Sequence, residues 1–141
     1  MSPSALALVG YVAWILLLAI TILLFRTGLV LTKKRAANAF SPSGEDISPF
    51  ANSLCRAHAN CYENLQIFAA HILHALVTDN AGNTDSRARW ALDARVAQAT
   101  VHLISTSELA VTLRATFHSV QLGIEAYWVV QLGLLGFAAM A

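Results

Sequence analysis

Charge is what this sequence lacks most. Asp, Glu, Lys and Arg together make up only 12% of its 141 residues, where an ordinary globular domain carries about a quarter. A single water-soluble domain of this length would therefore be short of the polar exterior it needs. Cysteine is scarce as well, with Cys55 and Cys61 the only two. They share one predicted helix at a spacing that misses the three- and four-residue steps of helical neighbours. The pair suits neither an internal disulfide nor the close paired spacing of a structural zinc site, and both read as packing thiols. Basic residues are scattered, which leaves no nucleic-acid footprint. No internal repeat or low-complexity tract is evident.

What fills the chain instead is apolar, 57% of it. No residue from Ala5 to Phe25 is charged, and about 20 such residues cross a bilayer as a helix. A secretory signal would want a basic start and a small-residue cleavage site. Met1 to Ser4 carry no basic side chain, and the run ends in Arg26 and then Lys33, Lys34 and Arg35, the flank of a helix that stays in the membrane. From Ala115 to the end Glu125 is the one charge, and Gly123, Gly133 and Gly136 leave room for close helix contacts. Two weaker stretches lie between, one holding Arg56 and Glu63 and the other Asp93 and Arg95. The expectation is an all-α integral membrane four-helix bundle, one domain over residues 1–141, with spans near 5–29, 50–77, 89–107 and 112–138.

Two loops follow from the turn residues: Thr32 to Pro49, marked by Ser41-Pro42-Ser43-Gly44, and Asp79 to Arg87, built on Asp79-Asn80-Ala81-Gly82-Asn83. A tight third turn is expected near Ser105 to Val111. Lys33, Lys34, Arg35, Arg56 and Arg114 gather at one side of these spans, against Arg87 and Arg89 at the other. Positive residues favour the cytoplasm, which puts the first loop inside and both termini in the periplasm. Compactness and alanine content favour a bacterial inner membrane.

Three of the four spans carry a polar stripe. Arg56, Asn60, Glu63 and Asn64 share one face of the second helix over two turns. The third contributes Arg95, Gln98 and His102, and the fourth Arg114, His118, Gln121 and Glu125. Guanidiniums and carboxylates exposed to lipid are costly, so the stripes are expected to turn inward. They can simply tie helices together, Arg56 with Glu63 and Arg114 with Glu125, while Asp93 neutralises Arg95. Yet three inward arginines outnumber the two buried carboxylates, Glu63 and Glu125. That excess points to an anionic guest, since guanidiniums grip carboxylates with paired donors and also stabilise a thiolate. With Asn60 and Asn64 to exchange hydrogen bonds and Glu63 to receive an ammonium, the set suits a small zwitterionic peptide.

The segment Arg56-Ala57-His58-Ala59-Asn60-Cys61-Tyr62-Glu63-Asn64, supported by Thr27-Gly28 and Lys33-Lys34 at the end of the first helix and by Arg95-Val96-Ala97 in the third, resembles the membrane-associated proteins in eicosanoid and glutathione metabolism, the MAPEG family. The resemblance implies a homotrimer of four-helix subunits binding glutathione between neighbours, a microsomal glutathione transferase-like membrane enzyme. It implies that Arg56, Asn60 and Glu63 hold the tripeptide and that Arg95 matches a helix-three arginine. Asn64 stands where some relatives carry tyrosine or threonine. By the same likeness Arg114 is the catalytic arginine that stabilises the thiolate. His102 replaces a helix-three tyrosine within the binding set, and Leu31 stands where synthase-type relatives carry a basic residue. The expected reaction joins glutathione to a hydrophobic small-molecule electrophile arriving from the membrane lipid, with peroxide reduction as a side activity.

Two other classes fit parts of the sequence. A non-catalytic trimeric scaffold or binding protein would use the stripes for helix pairing alone. A metal or haem enzyme would recruit His71 and His74, three apart on one helix, with His102 and His118. No carboxylate-histidine pattern repeats, so no metal ligand is assigned.

Overall fold

The computed structural model describes residues 1–140. They form four helices and, among the described residues, no strand: α1 (Pro3–Leu31), α2 (Pro49–Val77), α3 (Gly82–Ile104) and α4 (Glu108–Met140). Proline opens α1 and α2, where a missing N–H costs nothing, and the preceding serine caps each: Ser2 Oγ accepts from Ala5 N at 3.2 Å and Ser48 Oγ from Ala51 N at 3.1 Å. Both helices also end alike. Lys33 and Asp79 take positive φ, and the next residue's N–H reaches back to the carbonyl of the last turn, Lys34 to Leu29 at 3.0 Å and Asn80 to Ala75 at 2.8 Å. This is the Schellman closure with a non-glycine residue in the left-handed position.

The connections are shorter than expected. Helix α3 starts at Gly82 rather than near 89, because its polar first turns are anchored to the start of α1. Ser4 N donates to Asp85 Oδ1 at 2.9 Å, and the Ser4 and Thr84 hydroxyls lie 2.7 Å apart. Between α3 and α4 only Ser105, Thr106 and Ser107 remain. Ser105 is extended, which ends α3 at Ile104 rather than near 107, and Ser107 Oγ accepts from Ala110 N at 3.3 Å, which starts α4 at Glu108 rather than near 112.

Helices α2 and α3 form the middle of the bundle. Helix α1 packs on both, and α4 packs mainly on α3 and less on α2. Their contact surfaces are small: Ala57, Ala75, Ala88, Ala91 and Ala99 are all buried, which lets backbones approach closely. One aromatic ladder fills the space left. Tyr11 stacks on Phe68 at 5.0 Å between ring centres, and Phe68 meets Trp128 at 5.9 Å, joining α1, α2 and α4.

The outside is apolar. Leu16, Leu17, Ile20, Leu23 and Leu24 of α1 and Val129, Val130, Leu134 and Phe137 of α4 are exposed. Both helices are long and apolar enough to cross a membrane, and only 17% of the most apolar window of each is buried. The core helix of a soluble protein would be mostly covered, and these two are not. Helices α2 and α3 do not meet the same criterion of length and apolarity, because they carry the polar groups.

The first loop is folded on itself. Arg35 pairs with Asp46 at 2.6 Å, Arg26 donates to Ser41 O at 2.9 Å, and both guanidiniums lie over Phe40. At its centre Gly44 is buried with φ of +71°, and a Cβ there would stand 2.8 Å from Ala51 O. Gly44→Ala is therefore expected to cost about 1–3 kcal/mol in backbone strain alone, read as a lowered thermal midpoint in detergent. An unchanged midpoint would mean that the loop does not brace the bundle.

Candidate functional site

A cleft of about 260 Å³ opens between α2, α3 and α4. It is lined by Arg56 and Asn60 from α2, Gln98 and His102 from α3, and Val111, Arg114, Ala115 and His118 from α4. Steps of four residues on each helix bring these side chains to one wall after another. A larger groove of about 500 Å³ lies between α1 and α3, but its lining is Gly10, Ala13, Trp14, Leu17, Leu92, Asp93, Val96 and Ala97, without converging polar groups.

Hydrogen bonds define the cleft's chemistry. Arg114 Nη1 donates to His102 Nδ1 at 2.6 Å. Beneath the cleft, Arg95 is 1% exposed and donates from Nη1 to Gln98 Oε1 at 2.7 Å, with Nη2 at 3.5 Å from His118 Nδ1. A guanidinium has donors only. His102 therefore accepts at Nδ1 and carries its proton on Nε2, and Gln98 keeps its NH₂ group free. The lining thus holds two guanidiniums, two N–H-bearing imidazoles and two amides, and no carboxylate.

The residues expected to act together separate into three groups. Arg56, Asn60, His102 and Arg114 meet in the cleft. Arg95 lies under it, bordering only a narrow recess with Ala57, Asn60, Cys61, Gln98, Ala99 and His102. Glu63 and Asn64 do not reach it. Glu63 is exposed on the outer surface of α2, and Asn64 Nδ2 turns back to Asn60 O at 2.9 Å. The α2 stripe thus does not turn wholly inward as expected, because α2 already uses Ala57, Cys61, Phe68 and Ile72 to face its neighbours. Arg56 stands exposed on the same side.

None of the expected ion pairs forms. Arg114 meets His102 rather than Glu125, and Arg56 makes no ion pair with Glu63. Asp93 lies 3.5 Å from Arg89 instead of neutralising Arg95. Glu125 is 3% exposed in the bundle core, where its Oε1 accepts from Gln121 Nε2 at 2.7 Å. Cys61 is buried in the core, and Cys55 lies 3.8 Å from Arg26. Among the described residues no three His, Cys, Asp or Glu side chains converge as metal ligands. His71 instead bonds Ile67 O at 2.7 Å. Gln98 and His118 are the polar lining residues missing from the expected binding set, although their spacing within the α3 and α4 stripes already marks them.

The model of the MAPEG family matches residues 4–138, nearly the whole chain. The chain belongs to the MAPEG family. No curated protein and no solved structure matches it. As a MAPEG protein with two exposed apolar helices it is a membrane protein, and the family is consistent with glutathione-related transferase or related chemistry. The match spans every helix that contributes to the cleft, so the arginine–histidine lining belongs to the family domain itself.

Proposed function

We propose that this protein is a glutathione transferase-like membrane enzyme that joins the glutathione thiol to apolar electrophiles drawn from the bilayer. The observation that carries the reading is a cleft with two guanidiniums and no carboxylate in its lining. Glutathione brings two carboxylates and a thiol that reacts as its anion, and two guanidiniums among N–H donors with no competing carboxylate suit such a guest. In this reading Arg114 stabilises the thiolate, Arg56 takes a carboxylate and Asn60 orients the peptide. Arg95 supports the floor through Gln98 and His118.

The outer face of α2 supports assembly as a homotrimer. Arg56 and Glu63 are exposed on the single chain, and an ionised side chain facing hydrocarbon is expensive. A neighbouring copy laid over this face covers both and brings Glu63 and Asn64 to the rim of the site, where the carboxylate receives the ammonium of the tripeptide.

The test is a titration of the detergent-solubilised protein with glutathione at neutral pH, followed by the ultraviolet absorbance of the thiolate. A saturable signal is the expected result. No signal and no binding by an intact oligomer would instead favour a scaffold that uses its polar stripes for helix pairing alone.

A further inference from the structure

We infer that His102 is a catalytic base: its Nδ1 takes the proton from the thiol that Arg114 stabilises, imidazole and guanidinium exchanging partners as the thiolate forms. The inference rests on reading the cleft as a glutathione site. Arg114 Nη1 lies 2.6 Å from His102 Nδ1, so the lone pair on that nitrogen is held by a donor that the thiolate also needs. When a thiol reaches Arg114, the S–H bond breaks, its electron pair stays on sulfur and an N–H bond forms at Nδ1. A protonated Nδ1 no longer accepts from a guanidinium. The Arg114 N–H therefore turns to the sulfur, and the new Nδ1–H points into the same cleft. The thiolate sulfur can accept from both donors, and water, which finally takes the proton, completes the balance.

The other lining groups do not fill this role. Asn60 and Gln98 hold no exchangeable lone pair of useful basicity, and no carboxylate lines the cleft. His118 is engaged at 3.5 Å by Arg95 rather than by Arg114. The charges that face His102 are Arg114 from α4 and Arg56 from α2, with His118 across the cleft and Arg95 below it on α3 itself; α1 adds none to the lining. His102 passes the proton on to water at the open mouth of the cleft. It acts as a relay and not as a store, and its signature is a rate.

The variant His102→Asn places an amide oxygen near the position of Nδ1. It keeps an acceptor for Arg114 but holds no proton. Rapid mixing of the oligomer with glutathione, followed by thiolate absorbance, is expected to show native protein reaching its plateau at a rate indifferent to buffer concentration. The variant should be slower by about a hundredfold and should speed up in proportion to added imidazole. A variant as fast as native, or a slow one that imidazole does not rescue, overturns the role of His102 while leaving the glutathione reading standing. Native protein that forms no thiolate at all removes both.

Discussion

Arg114→Ala is expected to lower the rate of glutathione conjugation near neutral pH by about 10- to 30-fold, the loss of thiolate when an activated thiol returns to its ordinary ionisation. Arg114 is half-buried and faces no carboxylate; its nearest partner is the neutral acceptor His102. Its charge is therefore not neutralised within the chain. An ordinary cysteine thiol ionises near pH 8.5, so little thiolate exists at neutral pH. A charged hydrogen bond contributes about 1.5–3 kcal/mol, which brings the pH at which the thiol ionises down by about one to two. Removing the guanidinium returns the thiol to its ordinary range. The sign of the pH dependence follows: the deficit is greatest near neutrality and shrinks as pH rises past the ordinary thiol value, where both proteins hold thiolate. The check is conjugation of an apolar electrophile, with thiolate absorbance, measured from pH 6.5 to 9.5 on oligomers of equal size. A deficit constant across that range would place Arg114 in binding rather than in thiol activation.

The legible parts of the fold were those whose signal is local. The charge-free run of α1 is such a signal, and so are Pro49 after Ser48 at the start of α2 and the serines between α3 and α4. The start of α3 was not legible from apolar counting, because Asn83, Thr84, Asp85, Ser86 and Arg87 read as loop. They become helical through Ser4, some eighty positions away in sequence. The site divides in the same way. Helical spacing places Arg95, Gln98 and His102 on one face and Arg114 and His118 on another, and the structure brings the two faces together. Which way the α2 stripe turns depends on how α2 spends its remaining faces, a property of packing and not of spacing. Charge complementarity led to Arg–Glu pairs. The fold makes Arg–His contacts instead, since a neutral imidazole is a good acceptor and Glu125 lies a further three turns along α4 from Arg114, in the core.

Arg95→Met separates binding from stability. Arg95 is 1% exposed, its Nε has no hydrogen-bond partner, and among the described residues no carboxylate forms an ion pair with it. Burying a cation without a counter-charge costs several kcal/mol, and replacing buried charge by an apolar side chain of similar length is often neutral or stabilising by about 1–4 kcal/mol. Stability thus gives no reason for an arginine here. What Arg95 does is orient the floor: it holds Gln98 Oε1, which leaves the amide NH₂ for a guest, and it fixes His118 with Nδ1 toward itself. The methionine variant is expected to keep or raise the thermal midpoint in detergent while weakening glutathione binding by at least about tenfold, the lower end of what a charged hydrogen bond contributes. Calorimetric titration and thermal unfolding on the same preparation read both. A lowered midpoint with unchanged affinity would make Arg95 a tie between α3 and α4. A raised midpoint with lost affinity is what a membrane helix shows when it carries a buried charge for its ligand rather than for its fold.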